Sequence, residues 1–324
     1  MPTNVTPEYK KAEEAFRNAG TLDEKVERLE DMIALLPKHK GTDHLYADLK
    51  RRLSKLRKDM ESAGKKARSG PRLGFTREGA AQVVLVGPPN SGKSSIVAAL
   101  TNAHPDIGDY PFTTNQPQPA MLPYQDIQFQ LVDSPPVTAD YMPMHLLSLV
   151  RGAEAVLLVA DLSKDTILEE IDAVFDMFAA RHVTFVGDPR SRDRDVVPAR
   201  VVANKLDAPE AAARLGLLRE AFVKRLDVDP ISCREPGGVK QIAVMLFEWL
   251  GVVRVYTKAP GHRPEMEHPY TVFEGQTVGD ICRLIHKDFV DSLRFARLWR
   301  GDTDAITVAR HEQVLDRDIV ELHM

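Results

Sequence analysis

The chain has 324 residues, a formal net charge of −4 and 43% hydrophobic residues, so it has room for two or three domains with cores and is not a globally basic nucleic-acid binder. Its two cysteines, Cys233 and Cys282, are far apart and lack metal-ligand spacing, which fits a reduced cytoplasmic protein and not a disulfide scaffold. The N-terminus is polar and no run of about 18 apolar residues occurs, so neither a membrane span nor a secretion signal is expected.

Residues 1–70 read as helical. Thr6-Pro7 opens a first helix and Gly20 stops it. Thr21 and Glu24 form a capping box for a second, which ends before Pro37. A third runs from near Thr42 to about Lys66. Its stripe of Leu45, Leu49, Leu53, Leu56 and Met60 would face Val26, Leu29, Ile33 and Leu36, giving an antiparallel hairpin. Between Lys38 and Arg72 there are twelve Lys or Arg against four Asp or Glu. In an acidic chain this asymmetry points to a polyanion such as RNA, with an ordinary solvated helix face as the competing reading.

Residues 71–251 alternate strands with helices, the pattern of a mostly parallel sheet covered on both faces. Val83 to Val86 is a buried β-branched strand, followed by Gly87-Pro88-Pro89-Asn90-Ser91-Gly92-Lys93-Ser94 and an apolar helix from Ser95. Strand, glycine loop and helix start together are the setting in which backbone N–H groups cradle phosphates. Lys93 then neutralises phosphate charge and the Ser94 hydroxyl can ligate Mg²⁺. A chance glycine turn is the bland alternative. Asp109 to Thr114 reads as a loop whose threonines can close on Mg²⁺ and a γ-phosphate. Ile127 to Val132 is a strand ending at Asp133, which is placed to hold a water of Mg²⁺. Further strands are predicted at Ala155 to Ala160 and Arg200 to Ala203, with Arg181 to Arg200 an irregular excursion. Asn204-Lys205-Leu206-Asp207 closes the latter strand. Asp207 can accept from guanine N1–H and N2–H₂ together, a pattern adenine cannot satisfy. A helix over Pro209 to Arg225 leads to Ile231-Ser232-Cys233, which ends another strand and can offer N–H groups to guanine O6. A helix from Gly238 to Leu250 completes the unit.

Residues 252–324 differ. Strands at Val252 to Thr257, Tyr270 to Phe273, Ala296 to Trp299, Val308 and Ile319 to Leu322 surround a Thr277-capped helix, with Lys258 to Pro269 as a loop. That composition suggests a small α+β module of the β-grasp kind. His286 and His311 lack partners at ligand spacing and read as structural or surface residues. Trp249 and Trp299 read as core, and Arg190, Arg192 and Arg194, alternating with Asp193 and Asp195, fit a solvated loop better than an arginine finger.

Together these residues resemble the Obg-like GTPases of the DRG type (developmentally regulated GTP-binding proteins). Tyr110-Pro111-Phe112-Thr113-Thr114 is similar to that family's switch I, in which Thr114 would meet Mg²⁺. Tyr270-Thr271-Val272-Phe273, Thr277-Val278-Gly279-Asp280, Ile285 to Phe289, Val314-Leu315-Asp316 and Asp318-Ile319-Val320 resemble a TGS domain. Lys40 to Leu45 and Leu53 to Arg57 are similar to the basic helical N-terminus of DRG proteins. The resemblance implies a P-loop GTPase domain preceded by a helical hairpin region and followed by a TGS domain. It also implies slow GTP hydrolysis with Mg²⁺, ribosome association, and K⁺ beside the phosphates at Asn90. Val137 fits the family's lack of a water-orienting glutamine. The implied phosphate contacts are Gly87, Asn90, Ser91, Gly92, Lys93, Ser94 and Ser95; the base contacts are Asn204, Lys205, Asp207, Ser232 and Cys233. Lys93, Thr114 and Asp133 form the implied catalytic group, with Ser94, Thr114 and Asp133 at the metal. A protein partner would dock on the TGS-like domain, and RNA or the large ribosomal subunit on residues 38–72.

One departure stands out. Where the family has D-x-P-G, this chain has Asp133-Ser134-Pro135-Pro136. Pro136 has no N–H with which to report a γ-phosphate. Two readings follow: a GTPase switch, or a guanine-nucleotide-binding RNA or protein adaptor with little hydrolysis.

Overall fold

The computed structural model describes residues 32–33, 49–50, 76–101, 117–191, 193, 195–235, 237–286, 289–301 and 303–324. Met32, Ile33, Leu49 and Lys50 are helical. The rest of the expected hairpin and of the basic stretch 38–72 lies outside the described residues, as do the loop 109–114, Arg192 and Arg194. From residue 76 onward the chain belongs to one compact unit with two sheets.

The first sheet is built on β1 (Gln82–Val86), whose five residues are all buried. Its alternation separates two cores. Val84 and Val86 pack with α2 (Met144–Gly152), α3 (Ile167–Ala179) and α4 (Ala211–Phe222), through residues such as Leu146, Phe178 and Leu218. Val83 and Leu85 pack with α1 (Lys93–Leu100) and α5 (Gln241–Leu250), through Ile96, Ile242 and Leu246. A strand covered on both faces reads as a continuous apolar run, which is why β1 and β4 (Ala155–Asp161) are so plain in the sequence.

The strand order is β2-β3-β1-β4-β6-β5, with β7 also on β6. Here β3 is Ile127–Asp133, β6 Val196–Asn204, β5 Thr184–Val186 and β7 Val228–Pro230. β1 pairs in parallel with both β3 and β4, so the C-terminal ends of the three strands rise together. Ligands of open α/β sheets bind at that edge. β2 (Gln118–Tyr124) is antiparallel to β3 and is absent from the strands the sequence predicts. Pro119 and Pro123 disguise it, and its edge position is what tolerates them. The stretch 181–200 corrects a second expectation. It is not an irregular excursion throughout, since it holds β5 and the first half of β6, paired in parallel from Thr184↔Val196 to Val186↔Pro198.

The second sheet has the order β11-β10-β12-β8-β9. Its strands are β8 (Val252–Thr257), β9 (Glu265–Phe273), β10 (Phe295–Trp299), β11 (Ile306–Val308) and β12 (Asp318–His323). β9 begins at Glu265, within the stretch expected as a loop; its exposed first half carries no apolar alternation to reveal it. α6 (Val278–Ile285) starts at Thr277 with the capping box completed by Asp280, and its Val278, Ile281 and Cys282 are buried against Val255, Leu298 and Val320. α7 (Phe289–Ser292) follows as a short turn of helix. No helix among the described residues is long and apolar enough to cross a membrane.

Candidate functional site

The phosphate-type loop sits at the end of β1 and runs into α1. Two glycines are required by geometry. A Cβ on Gly87 would lie 2.5 Å from the Val159 carbonyl oxygen. Gly92 has φ 94°, and a Cβ there would lie 2.1 Å from the Asn204 side-chain nitrogen. Lys93 is buried, and its Nζ donates to the carbonyls of Gly87 at 3.0 Å and Pro88 at 2.9 Å. Burial lowers its pKa to about 8, against the opposing charge of Asp133 and with a further push from Lys164. Ser94 Oγ donates to Asp133 Oδ2 at 2.6 Å, so the first turn of α1 meets the end of β3. Ser95 is half-buried beside it. A hydroxyl and a carboxylate converging there are hard oxygen donors, the set Mg²⁺ prefers. Thr114 lies outside the described residues.

The base-type motif ends β6 and is tied directly to the loop. Asn204 Nδ2 donates to the Ser91 carbonyl at 3.0 Å. Lys205, at φ 64°, donates through Nζ to the Asn90 carbonyl at 3.1 Å and to Asp161 Oδ2 at 2.6 Å. Asn90 itself is exposed and also left-handed, at φ 62°. Ser91 is buried, and its hydroxyl makes no hydrogen bond among the described residues.

Asp161 was not among the residues singled out by sequence. It is buried at the end of β4, and its Oδ1 accepts from the Ser163 N–H at 2.9 Å and hydroxyl at 2.6 Å. A carboxylate closing a fully apolar strand, as Asp133 closes β3, was the available signal.

Asp207 is oriented by the loop after β7. Ser232 Oγ donates to Asp207 Oδ1 at 2.7 Å, and exposed Arg234 reaches Oδ2 at 3.3 Å. The Ser232 hydrogen bond holds the Asp207 carboxyl below the usual range, against a smaller opposing effect of burial. β7 ends at Pro230, so Ile231-Ser232-Cys233 follows the strand and does not end it. Backbone bonds from Leu206 N–H to Ile231 and from Ile231 N–H to Ala203 bring the two loops together. The Cys233 thiol lies 3.5 Å from Asn204 Oδ1 and is pushed up to about 11, by burial first and then by the Asp207 charge.

Beneath the loop, Asp133 to Val137 are all buried. Ser134 Oγ donates to the Leu85 carbonyl at 2.6 Å. Pro136 cannot donate, but the next N–H, that of Val137, donates to the Gly87 carbonyl at 3.1 Å. The Val137 side chain is packed into the core with Val86 and Leu146. Arg190 is engaged with Glu274 of the second sheet's module at 2.6 Å, and His286 and His311 are exposed.

Residues 82–186 match the family described as 50S ribosome-binding GTPase, and residues 253–324 match the TGS domain. An uncharacterized GTP-binding protein of Halobacterium salinarum is 27% identical over 93% of this chain and 98% of its own length. Developmentally-regulated G-protein 1 of Arabidopsis thaliana is 24% identical over 92% of this chain and 90% of its own. Ribosome-interacting GTPase 1 of Saccharomyces cerevisiae is 24% identical over 85% and 91%. Among solved structures, the Schizosaccharomyces pombe YchF GTPase matches with a TM-score of 0.53 at 12% identity, covering 76% of this chain and 99% of that one, a likeness of fold.

Proposed function

Because the chain is a DRG-type P-loop GTPase carrying a TGS domain, we propose that it binds Mg-GTP, hydrolyses it slowly to GDP and phosphate, and works in the cytoplasm as a ribosome- or RNA-associated switch. The observation that carries this reading is the pair of ties from Asn204 to Ser91 and from Lys205 to Asn90. They hold the proposed guanine-reading motif directly against the phosphate loop, so that one nucleotide could touch both. In this reading residues 71–251 are the G domain, 252–324 the TGS domain and 1–70 the basic helical region.

Lys93 would neutralise charge on the β- and γ-phosphates, and the loop N–H groups from Gly87 to Ser95 would cradle them. Asp207 would accept from the guanine edge, kept ionised and aligned by Ser232, with Asn204 fixing the loop around it. Ser94, Thr114 and Asp133 would hold Mg²⁺, which supplies charge neutralisation at the transferring phosphoryl group. No described side chain stands as a general base, so catalysis would rest on positioning and electrostatics. K⁺ at Asn90 belongs to the proposal, as does a partner of the TGS domain. The yeast relative's name supports the ribosome, and the charge of residues 38–72 supports an RNA contact there.

Asp207→Asn is expected to convert the preference from GTP to xanthosine triphosphate, and an unchanged preference refutes the guanine assignment. Single-turnover hydrolysis in K⁺ and in Na⁺ buffer, with and without large ribosomal subunits, tests the rest. Stimulation by subunits supports the switch. Tight nucleotide binding without hydrolysis in any condition supports the adaptor, whose one structural motive is Pro136.

A further inference from the structure

The two modules meet at a buried charge. Arg254, on β8 of the TGS domain, has a side chain only 4% exposed. Within its own module Asp316 holds it twice, Nε to Oδ1 at 2.9 Å and Nη2 to Oδ2 at 2.6 Å. The remaining nitrogen, Nη1, crosses to the G domain. It donates to Asp126 Oδ1 at 2.8 Å and to Gln125 Oε1 at 2.5 Å. Tyr256, two residues along the same face of β8, donates through its hydroxyl to Asp126 Oδ2. Both oxygens of one carboxylate are therefore taken by the TGS domain.

The gripped residues have a particular place in the G domain. Gln125 and Asp126 form the turn between β2 and β3, with Gln125 at φ 51°. β3 then runs straight from that turn to Asp133, which meets Ser94. Seven residues of strand span about 20 Å. A single strand thus joins the expected Mg²⁺ end of the site to the TGS domain. The grip has a firm backing: the Arg254 guanidinium lies 5.0 Å over the Phe247 ring, which itself packs on Tyr124 of β2 at 5.1 Å.

Such a contact is discrete. Sliding the hairpin by one residue, about 3.3 Å, removes Asp126 from hydrogen-bond reach of Arg254 and Tyr256 together. The TGS domain must then either follow the hairpin or release it. An apolar contact would tolerate a slide with partial loss; a bidentate polar one does not.

We infer that the Asp126 carboxylate, gripped by Arg254 and Tyr256, transmits the nucleotide state of the G domain to the TGS sheet through β3. The inference rests on the guanine-nucleotide reading above and adds its route to the second module. Coupling of this kind is reciprocal, so a ligand of the TGS domain would shift nucleotide affinity by the same factor.

Hydrogen exchange on the full chain, with Mg-GDP against a non-hydrolysable Mg-GTP analogue, tests it. In the wild type, amides of residues 252–257 and 315–320 are expected to exchange at rates differing about fivefold between the two nucleotides. In Asp126→Asn that difference should vanish while the difference at residues 87–95 persists; Tyr256→Phe, a milder change, should reduce it. A TGS difference that survives Asp126→Asn overturns the inference. So does a wild-type chain whose loop responds and whose TGS domain does not. A loop that responds to neither nucleotide overturns the underlying nucleotide reading instead.

Discussion

The proposed phosphate end and the proposed base end of the site are built by opposite strategies. At the phosphate end the cradling groups from Gly87 to Ser95 are consecutive, and two glycines are required there, Gly87 by the Val159 carbonyl beside it and Gly92 by its left-handed backbone. At the base end the groups come from β4, β6 and the loop after β7, and side chains hold other side chains in place. The first is specified by local sequence; the second needs the sheet to assemble before Asp207 has an orientation. Asn204 belongs to both, since its one amide closes the gap between them.

That comparison can be broken at the shared point. Gly92→Ala places a methyl group on the Asn204 amide and forces a residue with a Cβ to φ 94°, so both ends should fail together. A fluorescent-nucleotide titration is expected to show Kd weakened about 100-fold or more for GDP and GTP alike. Asn204→Ala removes the tie without the clash and leaves the Ser91 carbonyl unpaired. The expected loss is about 10- to 100-fold, again for both nucleotides, read by the same titration. Sharpening the contrast takes Ser232→Ala, which touches only the base end. Competition with inosine nucleotides should show guanine preference reduced about fivefold, while the metal dependence of binding stays as it was.

The smallest effect is in pH. Asp207 is held below the usual carboxylate pKa, so its charge is present above that value and is lost only as pH falls through the lower, folded one. Guanine preference should stay flat from about pH 7 to 5. In Ser232→Ala its decline should begin at a higher pH than in the wild type. Coincident profiles would show that Ser232 does not control the carboxyl.

Much of this was legible in the residues. Strands buried on both faces announce themselves, and the loop from Gly87 to Ser94 is contiguous. The TGS helix was marked by Thr277 as its cap. What was hidden falls into two physical kinds. Prolines at 119, 123 and 198 argue against strands locally, and only the position of those segments in the sheet permits them. Supporting contacts such as Asp161 to Lys205 and Asp126 to Arg254 join residues distant in sequence, and single positions carry no mark of that. The surroundings of Pro136 were also out of reach: only the structure shows that the next N–H, that of Val137, is bonded to the Gly87 carbonyl.

The prolines of β2 have an effect on how copies of this chain meet. Pro119 and Pro123 share one parity along the strand, and Pro117 precedes them in step. In an antiparallel pair, alternate N–H groups point away from the partner strand, and a proline is accommodated where its donor would have pointed outward. Among the described residues β2 has no second partner strand, and its outward rim is therefore stripped of most of the donors a stray strand would need. Copies meeting at this rim are denied the ladder that seeds edge-to-edge aggregation, so the chain is guarded here by atoms it lacks.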